Sequence, residues 1–189
     1  MDICRFVADV EEVEMSISKI REKTGNSSRK KRGSKDSFLV KDYNRQSSLR
    51  GIFAILGGKD VLKRKIETRL DLIEISKTGV SKNACEHLAK YLNYTTKQLA
   101  DILPITERTI QRHSKNENFN PEVSDHILQI AEVSAKGTQV FNDKSKFISW
   151  MNYPCTSFSN RTPVSLLQSK FGVDMVIDEL GRIEHGVFS

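Results

Sequence analysis

Six of the seven residues from 106 to 112 could grip a nucleic acid: Thr106, Glu107, Arg108, Thr109, Gln111 and Arg112. Arginine and glutamine offer the forked or paired donors that read base edges, and threonine hydroxyls and arginines also hold phosphate oxygens. The exception, Ile110, is the residue such a helix would turn inward. Thr106 and Thr109 would stand near the positive N-terminus of that helix, where anions are favoured. Glu107 repels phosphate, so it must face a base edge or turn aside. The alternative is a charged helix face used only for packing or dimerisation.

Presenting that helix requires an element before it. Thr95 followed three residues later by Gln98 is a capping box, which starts a helix. Leu99, Ala100 and Leu103 share one face of it, and Ala100 is small enough for a crossing helix. Pro104 disfavours helical geometry at the preceding residue and ends the element. Ile105 fills the gap, Thr106 caps the second helix, and Ile110 faces back. Short helix, tight turn and second helix is the order of a helix-turn-helix.

Enzyme chemistry finds no comparable support. There are no paired carboxylates, no nucleophile beside a base and no glycine-rich phosphate loop, Gly57-Gly58 being too short. Cys4, Cys85 and Cys155 are far apart and odd in number, which argues against a disulfide framework and for a reducing compartment. His87, His113, His126 and His185 show no ligand spacing, so no metal site and no cofactor is expected. The net charge of +6 is compatible with nucleic acid but weak evidence alone. Asp2, Arg5, Asp9 and Glu11 interrupt any signal-peptide core, and no stretch approaches the roughly 20 apolar residues that span a bilayer. A cytoplasmic protein without a membrane partner is expected.

The 189 residues, 38% of them apolar, suit one domain or two small ones with solvated stretches between. Residues 6–22 read as a short amphipathic helix on Phe6, Val10, Val13, Ile17 and Ile20, either a frayed leader or a docking helix. Residues 25–36 read as a linker whose basic run, Arg29 to Arg32, either tracks phosphates or is a solvated tether. The strongest strand signal is Ser37–Val40. Helical patterning starts near residue 46. A helix is expected over 59–76, carrying Val61, Leu62, Ile66, Leu70 and Ile73 and, less regularly, Leu72 and Ile75, and stopped near Gly79. The next, 82–92, is capped by Ser81 and buries Ala84, Cys85, Leu88, Ala89 and Leu92.

Further on, Asn120-Pro121 pairs a cap with a first-turn proline and opens a helix to about Phe141. Asp143 caps a helix carrying Phe147, Ile148, Trp150 and Met151, which Tyr153-Pro154 ends. After a polar loop, Thr162-Pro163 opens a short helix with Leu166 and Leu167 inward. The last helix holds Val173, Val176, Ile177, Leu180 and Ile183 and stops at Gly186.

These residues resemble the Xre/MbcA/ParS-type antitoxins of bacterial type II toxin–antitoxin systems. The likeness rests on Leu99-Ala100 through Arg112, Asn120-Pro121-Glu122, Phe141 with Trp150, Arg161-Thr162-Pro163 with Leu166-Leu167, and Leu180 through Phe188. It covers residue 70 to the end. Two usual glycines are replaced, by Pro104 in the turn and by Asn160 before Arg161. The expected fold is all-α: a flexible N-terminal leader (1–57), which lies outside the resemblance, then a helix-turn-helix DNA-binding and dimerisation domain (58–136) and a small helical toxin-binding domain (137–189). The resemblance implies no catalysis by this chain. The implied partners are a cognate NAD-consuming toxin, of the RES-domain or a related type, and operator DNA, with a homodimer inside a hetero-oligomeric complex. Arg161, Arg182, Glu184, His185, Gly186, Val187, Phe188 and Ser189 become the expected toxin contacts, closing the NAD pocket. The other reading is a plain helix-turn-helix transcriptional regulator whose C-terminal domain dimerises.

Overall fold

A computed structural model describes residues 48–62 and 64–186, and among these every regular element is helical. The elements are α1 (48–55), a 3-10 turn at Gly58–Asp60, α2 (Arg69–Thr78), α3 (Lys82–Leu92), α4 (Thr96–Ile102) and α5 (Glu107–Arg112). Then follow α6 (Pro121–Phe141), α7 (Lys144–Met151), a 3-10 turn at Thr156–Phe158, α8 (Pro163–Leu166) and α9 (Lys170–Glu184). The expectations for residues 6–22, for the basic run and for Ser37–Val40 lie outside the described residues.

Helix α6 is the spine. Asn120 starts it by accepting from the Val123 N–H at 2.9 Å, with Pro121 in the first turn. Its buried residues cover a broad arc of the helix, and Asp125, Gln129, Glu132 and Lys136 share the outer face. Helices α2, α7 and α9 all pack on α6. Gly137 lets α7 come close: a Cβ there would lie 2.1 Å from the Phe147 ring. That ring joins Phe141 and Trp150, whose centroids are 5.5 Å apart, in one aromatic cluster.

Two expectations need correction. Residues 59–76 are not one helix. Thr68 and Asp71 form a capping box, the Thr68 N–H donating to the Asp71 carboxylate at 2.7 Å, so α2 starts only at Arg69. Backbone donation from Thr68 and Glu67 also holds the Asp71 carboxyl below its ordinary value. The late start changes which residues point inward. Ile75 is buried, as are Leu62 and Ile66 in the preceding segment, but Leu70 and Ile73 are exposed. The second correction concerns the stretch assigned to the leader. Leu49, Ile52, Ile55 and Leu56 are core residues, and Gly51 sits so close to Ala135 that an added Cβ would be 2.9 Å from the alanine Cβ. Residues 48–56 therefore belong to the packed body, because an apolar face at helical spacing found α6 to cover it.

The other caps form as their residue types dictate. Ser81 and Asp143 accept from the Ala84 and Lys146 N–H groups. Ser81 precedes the five residues of α3 expected to be buried, and all five are. Thr162 differs: its backbone has cap geometry, but its hydroxyl makes no cap bond, and its carbonyl instead accepts from the Ser165 hydroxyl at 2.7 Å. Leu167 is fully buried below this turn, whereas Leu166 is only half-buried.

Candidate functional site

The helix pair forms as its residues require. Thr95 and Gln98 close a reciprocal capping box at the start of α4. Leu103 leaves the helix with ψ 153°, the extended geometry that Pro104 imposes on the residue before it. Thr106 caps α5 by accepting from the Thr109 N–H. Leu99, Leu103 and Ile110 are buried as expected. Ala100 is only half-buried, and Ile102 occupies the inward position instead. Ile105 is half-buried between the helices.

On the outer face Arg108, Gln111 and Arg112 are exposed, and with Glu107 they line an open depression. Glu107 is turned aside: its carboxylate accepts from the Gln111 side-chain amide at 3.1 Å, one turn along. The Thr106 and Thr109 hydroxyls bond each other at 2.9 Å. Two arginines are therefore left as the forward cationic groups of this helix.

A six-residue helix is too short to hold itself, and distant groups brace it. Lys82, on α3, donates its ammonium to the Gln111 and His113 carbonyls at 3.3 and 2.9 Å, supplying a cation at the negative helix end. His113 donates from Nδ1 to the Thr109 carbonyl, and its ring lies 4.6 Å from that of Phe119. The Ser114 N–H, 2.9 Å from the Glu117 carboxylate, holds that carboxyl below its ordinary value. Antiparallel backbone bonds join Phe119 to Val80 and Lys82 to Glu117. Lys82 escaped the sequence reading because its partners lie 29 and 31 residues away.

The C-terminal candidates divide. Arg161 is exposed at the end of a tight loop, where its carbonyl accepts from the Cys155 N–H. Asn160 just before it has φ 61°, the left-handed region that favours glycine and that asparagine tolerates better than most residues. Its replacement of the expected glycine thus leaves the loop intact. Arg182 is half-exposed on α9 and pairs with Glu179 at 3.0 Å. Glu179 is buried, and its other oxygen accepts from the Ser157 hydroxyl at 2.8 Å. A buried carboxylate needs such partners. This relay connects α9 to the loop that ends at Arg161. Glu184, His185 and Gly186 are exposed, and Gly186 adopts φ 66°. Val187, Phe188 and Ser189 lie outside the described residues.

Residues 71–132 match the model of the antitoxin Xre-like helix-turn-helix domain, and residues 136–186 match that of the antitoxin Xre/MbcA/ParS C-terminal toxin-binding domain. Antitoxin Xre of Yersinia enterocolitica is 31% identical over 120 residues, covering 62% of this chain and 81% of the relative. The chain belongs to the Xre antitoxin family. Antitoxin Xre of Photorhabdus laumondii is 32% identical over 105 residues, 53% of this chain and 71% of the relative. The antitoxin is thus a regulatory protein and not an enzyme, and a toxin-binding domain replaces the plain-regulator reading of its C-terminal half. The matched regions meet inside α6, which runs unbroken across residues 132–136. Among the described residues no helix is long and apolar enough to cross a membrane, and no cluster of potential ligands could hold a metal ion.

Proposed function

We propose that the antitoxin silences an NAD-consuming toxin by closing the mouth of the toxin's active site with its C-terminal segment, and that its helix-turn-helix represses its own operon. The observation that carries the first part is the way the matched toxin-binding domain ends. Helix α9 is anchored by buried Val173, Val176 and Leu180, while Arg182, Glu184, His185 and Gly186 stand exposed at its close. A rigid base with charged groups at its tip suits insertion, because little order is lost when it docks. Arg182 and His185 would pair with acidic rim groups, Glu184 with a basic one, and Val187, Phe188 and Ser189 would enter the pocket. Arg161 would contact the rim. The second part is supported by Arg108 and Arg112 on a braced helix of the kind that enters a major groove. A homodimer within a larger cytoplasmic toxin–antitoxin complex completes the reading.

Removal of residues 182–189 tests the plug. The truncated chain should keep its helical core, since the core residues of α9 lie before the cut, yet should fail to restore growth to cells making the toxin. Full protection by the truncated chain would overturn the mechanism.

A further inference from the structure

Phe171 is 84% exposed and Met175 48% exposed, both on α9. Asp178 and Arg182, also on α9, are exposed too. At 3.6 residues per turn these four positions fall within about 60° of arc, and at the helical rise they extend over about 17 Å. The opposite side of the helix holds Val173, Val176 and Leu180 in the core. One narrow stripe thus runs from an aromatic and a thioether at the start of α9 to the charged end. Asp174 borders it, and among the described residues neither Asp174 nor Asp178 is ion-paired.

Size argues that the stripe has an occupant, and continuity says which. A stable interface buries about 800 Å² per partner through roughly 20–30 residues on each side. The exposed close of α9, Arg182 to Gly186, is five residues and supplies only part of that. A second contact surface continuous with it is required, and large apolar side chains left in water on the same helix face are of the type that anchors interfaces. The stripe lies wholly within the matched toxin-binding region. Among the described residues the other exposed large apolar side chains are Leu70 and Ile73 on α2 and Tyr153 beyond α7, all outside this stripe.

We infer that Phe171 and Met175, flanked by Asp174 and Asp178, form a docking ridge for the toxin, which seats against it while the terminal segment enters the active site. The complementary toxin surface is an apolar pocket that takes the phenyl ring, rimmed by basic groups facing the two aspartates. This rests on the reading that the C-terminal domain engages a toxin through its tail. Ridge and tail are separable by experiment.

The test uses the full antitoxin and the purified toxin of the adjoining reading frame, with affinity measured by calorimetry. Phe171→Ala with Met175→Ala should weaken binding by about tenfold or more, leaving the thermal midpoint unchanged because both side chains are exposed. Phe171→Asp should do the same more strongly. Unchanged affinity in these variants overturns the ridge. So does a loss of antitoxin self-association with toxin affinity intact, which assigns the stripe to a second copy. Comparison with the chain lacking residues 182–189 separates the two contacts. Weak binding by the ridge variants beside full binding by the truncation supports the ridge and overturns the tail. The reverse pattern overturns the ridge and leaves the tail.

Discussion

His126 donates from Nε2 to the carbonyl of Leu167 at 2.7 Å, and the same nitrogen lies 2.9 Å from the carbonyl of Ile102. Both neighbours are acceptors, so this nitrogen carries the proton. Ile102 closes the first helix of the helix-turn-helix, and Leu167 closes α8 in the toxin-binding domain. One buried imidazole therefore bonds helix-end carbonyls from both matched domains.

Replacement by leucine fills similar space but removes the donor. His126→Leu should lower unfolding stability by about 2–4 kcal/mol, because two buried carbonyls lose their partner. Urea unfolding followed by circular dichroism checks this. A midpoint equal to wild type would mean that solvent reaches those carbonyls and that the imidazole is not the joint described.

The outer face of α5 predicts an electrostatic signature. Arg108→Ala and Arg112→Ala should each weaken operator binding by about 1–3 kcal/mol if the side chain reads a base. An arginine on a phosphate would instead flatten the dependence of log K on log salt by about 0.9 for each phosphate no longer neutralised. Glu107→Gln should strengthen binding to any sequence, because it removes a negative charge while its amide oxygen can still accept from Gln111. Titrations with operator and unrelated DNA at several salt concentrations distinguish these outcomes. Wild-type affinity and slope in both arginine variants would exclude α5 as the reading helix.

Cys85 predicts a pH dependence. Burial pushes its thiol up from 9.0 to about 12. The folded state thus keeps the proton where the unfolded chain loses it. The stability tied to this thiol is complete below pH 9 and declines as pH rises toward 12, by about 1.4 kcal/mol per unit. Cys85→Ala removes the thiol, so the stability of wild type relative to this variant should fall between about pH 9 and 11. The native thiol should also resist alkylation until the chain unfolds. A constant difference across that range would show the thiol to be hydrated.

Local signals proved readable. The Thr95–Gln98 box, Asn120-Pro121, and Ser81 and Asp143 as caps each act within three residues, so spacing alone located them. Thr68–Asp71 is a signal of the same kind. It was obscured by the apolar periodicity around it, which suggested one long helix where the chain builds an extended segment and then α2. The bracing of the candidate site was not readable. Lys82 reaches α5 from 29 residues away, His126 meets Leu167 across 41, and Ser157 meets Glu179 across 22. No periodicity encodes such pairs, because the packing of α6 against its neighbours decides them. Glu179 was further hidden because a carboxylate on an amphipathic helix normally faces water.

The Ser157–Glu179–Arg182 relay yields the last prediction. Ser157→Ala removes the hydroxyl from a buried carboxylate oxygen and should reduce stability by about 1–3 kcal/mol. Glu179→Gln keeps the shape and can still accept from Ser157, but it releases Arg182. The half-exposed pair contributes at most about 1 kcal/mol to stability, so this variant should unfold near the wild-type midpoint. Its toxin affinity should nevertheless fall, because Arg182 would have to be ordered on binding instead of being held beforehand. Unfolding and toxin titration of the two variants together separate the effects. A Glu179→Gln protein that binds toxin as tightly as wild type would show that Arg182 gains nothing from its buried partner.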